Sequence, residues 1–314
     1  QPQIDFLTEK FKGLSREDIS AGVQKSLEEN VCEFIKDIFA RMSIKSEKVC
    51  LAGGVFANVR LNQEIAKIPE VKEVFIHPHM GDGGLAAGSA LHLHAEMAPE
   101  RSAPRRLAHV YFGPGMPESE IRGALEQNNL KYRVVDSPEL VAAKMLAAGK
   151  CVAWCRGPME YGPRALCHRS ILYQATDATV NDWLNKRLNR SEFMPFAPVL
   201  IEEKLKDYFD DYEKVLYALE FMTTTLYAND RCRREAPAIV HVDHTARPQI
   251  IRKTVQPEMH RMLVEYERLS GLNIVINTSY NMHEEPIVCT AADSVDAFLQ
   301  SKLDALFLEN YVVE

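Results

Sequence analysis

Apolar residues recur at helical spacing near the start of the chain. They predict an amphipathic helix over residues 15–42, which Ser15 and Asp18 begin in the manner of a capping box. We interpret this helix as a packing element. The apolar positions that define it are Ile19, Val23, Leu27, Val31, Ile35 and Ile38.

Short apolar runs then alternate with helical segments, a pattern that is typical of an α/β fold. Residues 193–199 contain two prolines and are predicted to be an extended segment that enters the core. The predicted strands are 48–52, 71–76, 107–113, 131–135, 151–155, 238–242, 273–276 and 305–313. The predicted helices are 85–93, 118–127, 138–148, 177–188, 257–270 and 291–302.

A segment rich in proline and charge interrupts this alternation. Residues 97–106 read MAPERSAPRR, a composition that is typical of a linker. We therefore predict a first domain at residues 1–98, a linker at 99–106 and a second domain at 107–314.

The composition excludes several classes of protein. A net charge of -7 gives no support to nucleic-acid binding, and no apolar run is long enough to span a membrane. The 7 cysteines include no C-x-x-C pair, so we expect neither a disulfide framework nor a zinc knuckle, and we predict a cytoplasmic location. Because the chain begins with Gln1, we also expect it to lack an upstream portion.

The basic loop RGPMEYGPRALCHRSI, which follows the strand at 151–155, is the main candidate for chemistry. It contains Arg156, Arg164 and Arg169, with Glu160 and Tyr161 between the first two. Arginine presents a planar fork that matches two phosphate or carboxylate oxygens at once. The alternative is a solvated basic loop. In an acidic chain, we interpret the cluster as a site for a small anion.

Further cations and polar side chains extend this candidate site. Lys186 and Arg190 lie near the end of the helix at 177–188, where favourable interaction with the helix dipole is the alternative explanation. Arg247 is another candidate cation. Polar residues at the end of an apolar strand are typical of α/β ligand sites, with ordinary turn chemistry as the alternative. Those that follow the strand at 273–276 are Asn277, Thr278, Ser279 and Asn281.

Two glycine-rich turns mark further candidates in the first domain. Gly53 and Gly54 follow a strand and precede Asn58, so the backbone could approach a nucleotide closely there. Asp82 lies in a glycine turn, where a carboxylate could bind a metal or a hydroxyl group. The alternative for both is an ordinary tight turn.

Five stretches together resemble the NodU/CmcH family of O-carbamoyltransferases. They are RGPMEYGPRALCHRSIL (156–172), LAGGVFAN (51–58), MPFAPV (194–199), HVDHTARPQ (241–249) and NTSYNMHEEPIV (277–288). The resemblance implies part of a Kae1-like α/β domain of the actin/sugar-kinase type. It implies that a YrdC-like α/β domain with a mixed twisted sheet follows.

The resemblance also implies an activity. Such enzymes make carbamoyl-adenylate from carbamoyl phosphate and ATP, with magnesium, and transfer the carbamoyl group to a hydroxyl-bearing small molecule or sugar. It assigns nucleotide or substrate binding to the glycine turn and Asn58, to Glu160 and Tyr161, and to the polar residues after 276. The cations it implies as catalytic are Arg156, Arg164, Arg169, Lys186, Arg190 and Arg247.

The chain departs from the family pattern at two places. The family's transition metal, such as iron, is held by an H-x-x-x-H pair and by the aspartate that matches Asp82. No H-x-x-x-H occurs here, so we expect the transfer half of the site to be incomplete. His283 and Glu284 replace the family's Arg-Gly.

Two other functions remain open at this point. One is a threonylcarbamoyl or hydrogenase-maturation type of enzyme, and the other is a non-catalytic remnant that binds a nucleotide or carbamoyl phosphate. The acidic charge argues against a tRNA substrate. A homodimer is compatible with each of these functions.

Overall fold

The computed structural model describes residues 2–103, 105–189 and 196–314, with side chains from residue 6 onward. The fold is α/β, as the sequence predicts. The strands are β1 (Glu47–Leu51), β2 (Val71–Ile76), β3 (Tyr132–Val134), β4 (Val152–Cys155), β5 (Arg169–Gln174), β6 (Ala197–Ile201), β7 (Leu226–Tyr227), β8 (Thr245–Ala246), β9 (Gln249–Ile251), β10 (Val275–Ser279), β11 (Ala305–Leu308) and β12 (Tyr311–Val313). The α-helices are α1 (Pro2–Lys10), α2 (Arg16–Arg41), α3 (Val59–Ala66), α4 (Leu85–Met97), α5 (Glu118–Gln127), α6 (Pro138–Ala147), α7 (Val180–Arg187), α8 (Leu205–Tyr208), α9 (Leu216–Leu219), α10 (Asp230–Glu235), α11 (Pro257–Ser270) and α12 (Ala291–Ser301).

A mixed sheet forms the centre of the molecule. Within the described residues its eight strands are ordered β3-β12-β11-β4-β5-β10-β6-β9. The pairs β4–β11 and β6–β9 are parallel, and the other neighbours are antiparallel. This arrangement confirms the predicted mixed sheet.

The central strands are buried on both faces because their apolar residues run without interruption. On β11, Phe307 packs with α6 and α11, whereas Leu306 faces the opposite side with α5 and α12. Both side chains are fully buried. Burial of each such side chain stabilises the fold by about 1.5–3 kcal/mol. The sheet thus lies between two helical layers.

The residues before the predicted linker form a smaller unit that contacts residues of the second predicted domain. β1 and β2 pair in parallel, and α3 connects them. Phe75 on β2 stacks on Tyr217 with ring centroids 4.9 Å apart, and the Asn62 carboxamide donates a 2.7 Å hydrogen bond to the Thr223 carbonyl. Side chains on both sides of the linker share one apolar cluster. The division at residues 99–106 stays a prediction.

The helices α2 and α4 compare differently with their predictions. α2 begins where Ser15 caps it, with Ser15 Oγ accepting a 3.0 Å hydrogen bond from the Asp18 N–H. α4 is longer than predicted and leaves Leu85, Leu91 and Met97 exposed.

No helix in the described parts of the chain is both long enough and apolar enough to cross a membrane.

Several element predictions are wrong. Residues 107–113 form no strand and contribute only a single bridge from Tyr111 to Glu160. The predicted strand at 238–242 is instead a short 3-10 turn at Pro237–Ile239, in which proline fixes the backbone. The predicted strand at 305–313 is a hairpin, because Glu309 adopts a left-handed conformation (φ 49°) between β11 and β12. β5 was not predicted.

Trypsin should cut the chain first within residues 97–106. Arg101, Arg105 and Arg106 are exposed there, outside regular α-helix and strand, whereas the exposed Arg234 lies within α10 and serves as an internal control. Mass spectrometry of early fragments measures the order of cleavage. Earlier cleavage inside α10 would show that the linker is better protected than its composition predicts.

Candidate active site

A cavity of about 370 Å³ lies where β10 ends. The loop that precedes β5, the start of β6 and the segment after β8 complete its wall. Six residues predicted from the sequence meet here, although they are far apart in the chain. They are Arg164, Arg247, Asn277, Thr278, Ser279 and Asn281.

Two guanidinium groups give the cavity its charge. The Nε atoms of Arg164 and Arg247 are shielded from solvent, and no described residue forms a hydrogen bond with them. Burial lowers the pKa of Arg164. Burial, together with the positive charge of Arg164, lowers the pKa of Arg247 to about 9. Because the two cations repel each other in a poorly solvated space, an anion between them would be strongly favoured.

Negative charge near these cations is sparse. Among the residues that line the cavity, Glu284 supplies the carboxylate, and its side chain is 86% exposed. Neither Arg164 nor Arg247 forms an ion pair among the described residues, which contrasts with the many surface pairs elsewhere. The described lining of the cavity thus carries more exposed carboxylate at its rim than within it, and its two arginines favour an anionic ligand.

Glu160 organises the loop that carries Arg164. Its Oε1 accepts hydrogen bonds from the N–H groups of Leu166 (2.6 Å), His168 (2.8 Å) and Arg169 (3.2 Å). The carboxyl group is buried, which raises its pKa, while these backbone bonds act in the opposite direction. The side chain thus lies behind the loop and does not line the cavity. It holds the loop in a fixed shape.

Arg156 and Arg169 lie outside the cavity. Arg156 is only 11% exposed, and its guanidinium contacts Glu258 (2.9 Å) and donates to the Glu309 carbonyl (2.9 Å). Arg169 is fully buried on β5 and donates to three backbone carbonyls, those of Gly157, His168 and Pro114. Both groups stabilise the loop from behind.

The other predicted residues near the loop are separated from one another. Lys186 is exposed at the end of α7 and does not line the cavity, whereas Asn185 of the same helix does. Arg190 lies outside the described residues. Tyr161 packs edge-on against His77 and His79, with centroids 5.8 and 5.1 Å away. It joins the loop to the first part of the chain.

The glycine turns of the first part do not reach this cavity. Gly53 has a φ of 121° and precedes the 3-10 turn Gly54–Ala57. Asn58 caps α3, with its Oδ1 accepting from the Leu61 N–H at 3.1 Å. Asp82 is exposed, and within the described ranges no three His, Cys, Asp or Glu side chains converge as metal ligands would. A nucleotide or metal role for these residues stays a prediction.

Sequence reasoning missed Gln249, a fully buried residue at the start of β9. Its Oε1 accepts a 2.7 Å hydrogen bond from Asn277 Nδ2. The signal was present, since a glutamine begins an otherwise apolar strand and buried polar groups need partners. Its partner is 28 residues away in the sequence, so spacing could not identify it.

Inorganic phosphate should stabilise the protein against heating. A ligand that binds only the folded state at about 100 times its Kd contributes about 2.7 kcal/mol, or roughly 4 °C in Tm for a chain of this size. Differential scanning calorimetry with phosphate, and with chloride at equal ionic strength as the control, measures this. Equal shifts for the two salts would contradict a specific anion site.

Comparison with known proteins identifies two matching family models. The model described as "Carbamoyltransferase C-terminus" matches residues 143–314, and "Carbamoyltransferase N-terminus" matches residues 5–91. The first contains every cavity residue named above, from Arg164 to Glu284.

Similar proteins occur in archaea and bacteria. An uncharacterized protein of Methanocaldococcus jannaschii is 33% identical over 317 residues, which cover 98% of this chain and 51% of that protein. Nodulation protein NolNO of Sinorhizobium fredii is 32% identical over 305 residues, covering 95% and 44% of the two chains. The crystal structure of full-length HypF in its phosphate- and nucleotide-bound form gives a TM-score of 0.39 at 21% identity, covering 55% of this chain and 25% of that one. The chain spans about half the length of the curated relatives it matches.

Proposed function

The chain belongs to the carbamoyltransferase family, and on that premise we propose that its cavity binds carbamoyl phosphate and ATP and forms carbamoyl-adenylate. One observation carries the proposal. Arg164 and Arg247 place two guanidinium groups with shielded Nε atoms in one cavity, and the described residues offer them neither a hydrogen bond to Nε nor an ion pair. Such a pair is suited to phosphate oxygens, which guanidinium groups bind through two parallel hydrogen bonds.

The dimensions and polarity of the cavity support this choice. Its volume of about 370 Å³ falls within the usual range for small-molecule sites. Polar groups from the end of β10 lie beside the cations and supply hydroxyl and carboxamide groups for a sugar or a carbamoyl moiety. Both substrates are strongly anionic, so they need cations to approach each other.

The proposed reaction has two balanced steps. Water first attacks the phosphorus of carbamoyl phosphate, its P–O bond breaks, and carbamate, phosphate and a proton are formed. A carbamate oxygen then attacks the α-phosphorus of ATP, and the bond to the β-phosphate oxygen breaks. Pyrophosphate leaves with that electron pair, and carbamoyl-adenylate remains. Charge develops on phosphate oxygens in both steps, where preorganised guanidinium groups lower the barrier.

Each residue of the site has a distinct part in this proposal. Arg164 and Arg247 hold phosphate oxygens, and Thr278, Ser279 and Asn281 orient the substrates. Magnesium bound to ATP would neutralise phosphate charge, and Glu284 is the lining carboxylate that fits such an ion, which accepts one carboxylate with phosphate oxygens and water. No cysteine of the described residues lines the cavity, so the proposal assigns no part to a thiolate.

Transfer of the carbamoyl group to a hydroxyl-bearing small molecule or sugar is proposed for the whole protein. The residues described here do not fit a transition-metal centre, because Asp82 is exposed and has no converging ligands among them. We therefore derive no step through iron or another transition metal.

Product analysis tests the proposed activation. The chain, supplied with ATP, magnesium and carbamoyl phosphate, should release pyrophosphate, and replacing carbamoyl phosphate by acetyl phosphate should stop the release. Phosphorus NMR distinguishes pyrophosphate and AMP from ADP and phosphate. Formation of ADP alone, or no nucleotide turnover, would contradict adenylation and favour a binding remnant.

A further inference from the structure

The orientation of the Asn277 carboxamide is fixed by its surroundings. Its Nδ2 donates to the Ala165 carbonyl (3.2 Å), and a backbone carbonyl can only accept. The same nitrogen donates to Gln249 Oε1 (2.7 Å) and lies 3.4 Å from Cys167 Sγ. Exchange of the nitrogen and oxygen would place two oxygens against each other at Ala165. The amide nitrogen therefore faces the protein.

The other end of this carboxamide has no partner among the described residues. Asn277 is 1% exposed, it lines the cavity, and its Oδ1 is buried without a hydrogen bond. A buried carbonyl oxygen normally has a donor. Because Nδ2 is engaged by Ala165 and Gln249, Oδ1 is the carboxamide atom left to accept a hydrogen bond from a ligand in the cavity that Asn277 lines.

Gln249 maintains this arrangement. Its Oε1 receives hydrogen bonds from both Asn277 Nδ2 and the Cys167 thiol (3.3 Å), and the residue itself does not line the cavity. Cys167 lies in the loop that carries Arg164, where its backbone has a φ of 75°. Because its Sγ contacts Asn277, the same network connects the loop to β10. Gln249 is thus a positioning residue that acts through Asn277.

We infer that Asn277 Oδ1, oriented by Gln249, accepts a hydrogen bond from the amino group of a carbamoyl substrate. This inference rests on the proposed function. The cations of the cavity recognise phosphate, which every acyl phosphate carries. A carbamoyl group differs from an acetyl group of similar size by an N–H donor in place of a methyl group. Asn277 Oδ1 distinguishes the two groups, because only the carbamoyl group can donate a hydrogen bond to it.

The inference predicts selectivity between two ligands of similar shape. Acetyl phosphate would leave Asn277 Oδ1 buried beside a methyl group, and the loss of one such hydrogen bond corresponds to about 5- to 150-fold in affinity. The wild-type chain should therefore bind carbamoyl phosphate at least about fivefold more tightly than acetyl phosphate. Inorganic phosphate provides the reference for the anion site alone.

Titration calorimetry of three variants with these three ligands tests the inference. Asn277→Ala should reduce the ratio of the two acyl-phosphate affinities to about one, while phosphate affinity stays within about twofold. Gln249→Leu should lower the ratio in the same direction, because it frees the carboxamide to rotate. Gln256→Leu alters a buried glutamine outside the cavity and should leave the ratio unchanged.

The outcomes distinguish failure of this inference from failure of the proposed function. Equal binding of carbamoyl and acetyl phosphate by the wild-type chain would overturn the inference even if both variants failed to fold. A folded Asn277→Ala variant that kept the full ratio would overturn it as well. Pyrophosphate release by the wild-type chain would leave the proposed function intact in either case, whereas absence of phosphate binding would refute both.

Discussion

Replacing Arg247 by methionine should reduce pyrophosphate release by about 10²–10³-fold and, in the ligand-free protein, raise the free energy of unfolding. The catalytic loss is of the size seen when one preorganised donor to a developing anion is removed. The stability gain arises because methionine keeps much of the side-chain volume but removes a charge that Arg164 repels. Even the replacement of whole buried ion pairs by apolar side chains of similar volume stabilises proteins by about 1–4 kcal/mol in favourable cases.

The pH dependence of stability provides an independent check on Arg247. Its pKa is lowered to about 9 in the folded protein. As the pH rises through that value, the folded form releases a proton that the unfolded chain still holds, so the cost of burying the charge disappears. The stability difference between Arg247→Met and the wild type should be full below pH 9 and should narrow above it.

Urea unfolding at pH 8 and pH 10, with pyrophosphate release measured at pH 8, tests both parts of this prediction. Arg268→Met is the matched control, since Arg268 is exposed on α11 and pairs with Glu265 at 2.8 Å. It should change neither quantity appreciably. An Arg247→Met protein that is inactive but clearly less stable than the wild type would mean that Arg247 is a structural cation with partners of its own.

Replacing Glu160 by alanine should destabilise the protein by at least about 3 kcal/mol and abolish phosphate binding. Three buried backbone N–H groups would lose their acceptor, at about 1–3 kcal/mol each. The loop that carries Arg164 would then lose its fixed shape, although Glu160 does not line the cavity. Glu160→Gln retains an acceptor oxygen and should be less destabilising.

Denaturant unfolding and phosphate titration of both Glu160 variants measure these effects. Glu265→Ala, at an exposed ion pair on α11, is the control for loss of a carboxylate and should have little effect on either property. Normal phosphate affinity in a folded Glu160→Ala protein would show that the loop holds its shape without this carboxylate.

The elements that the sequence predicted well are those with local signals. α11 extends from Pro257 to Ser270, as predicted, because proline begins it and Gly271 ends it in a left-handed conformation (φ 80°). β2 has its predicted bounds because the pattern of apolar and charged residues marks where the strand begins and ends. The α/β class and the mixed sheet follow from the alternation of such segments.

The parts that could not be predicted depend on partners distant in the sequence. The sequence alone does not distinguish the three arginines of the loop. In the structure, Arg156 contacts Glu258 and the backbone carbonyl of Glu309 in the hairpin. Arg169 is surrounded by backbone carbonyls that include that of Pro114. Only Arg164 of the three lines the cavity, where Arg247 approaches from another segment. A residue's charge suggests a site, but the sheet register decides which side chains share it.

Exchange of labelled pyrophosphate into ATP tests the central claim most directly, because it requires reversible formation of an adenylate in this cavity. The wild-type chain should incorporate label into ATP when carbamoyl phosphate and magnesium are present, and Arg247→Met should not. Exchange that is absent from the wild-type chain, under conditions in which calorimetry shows both ATP and carbamoyl phosphate bound, would contradict the account.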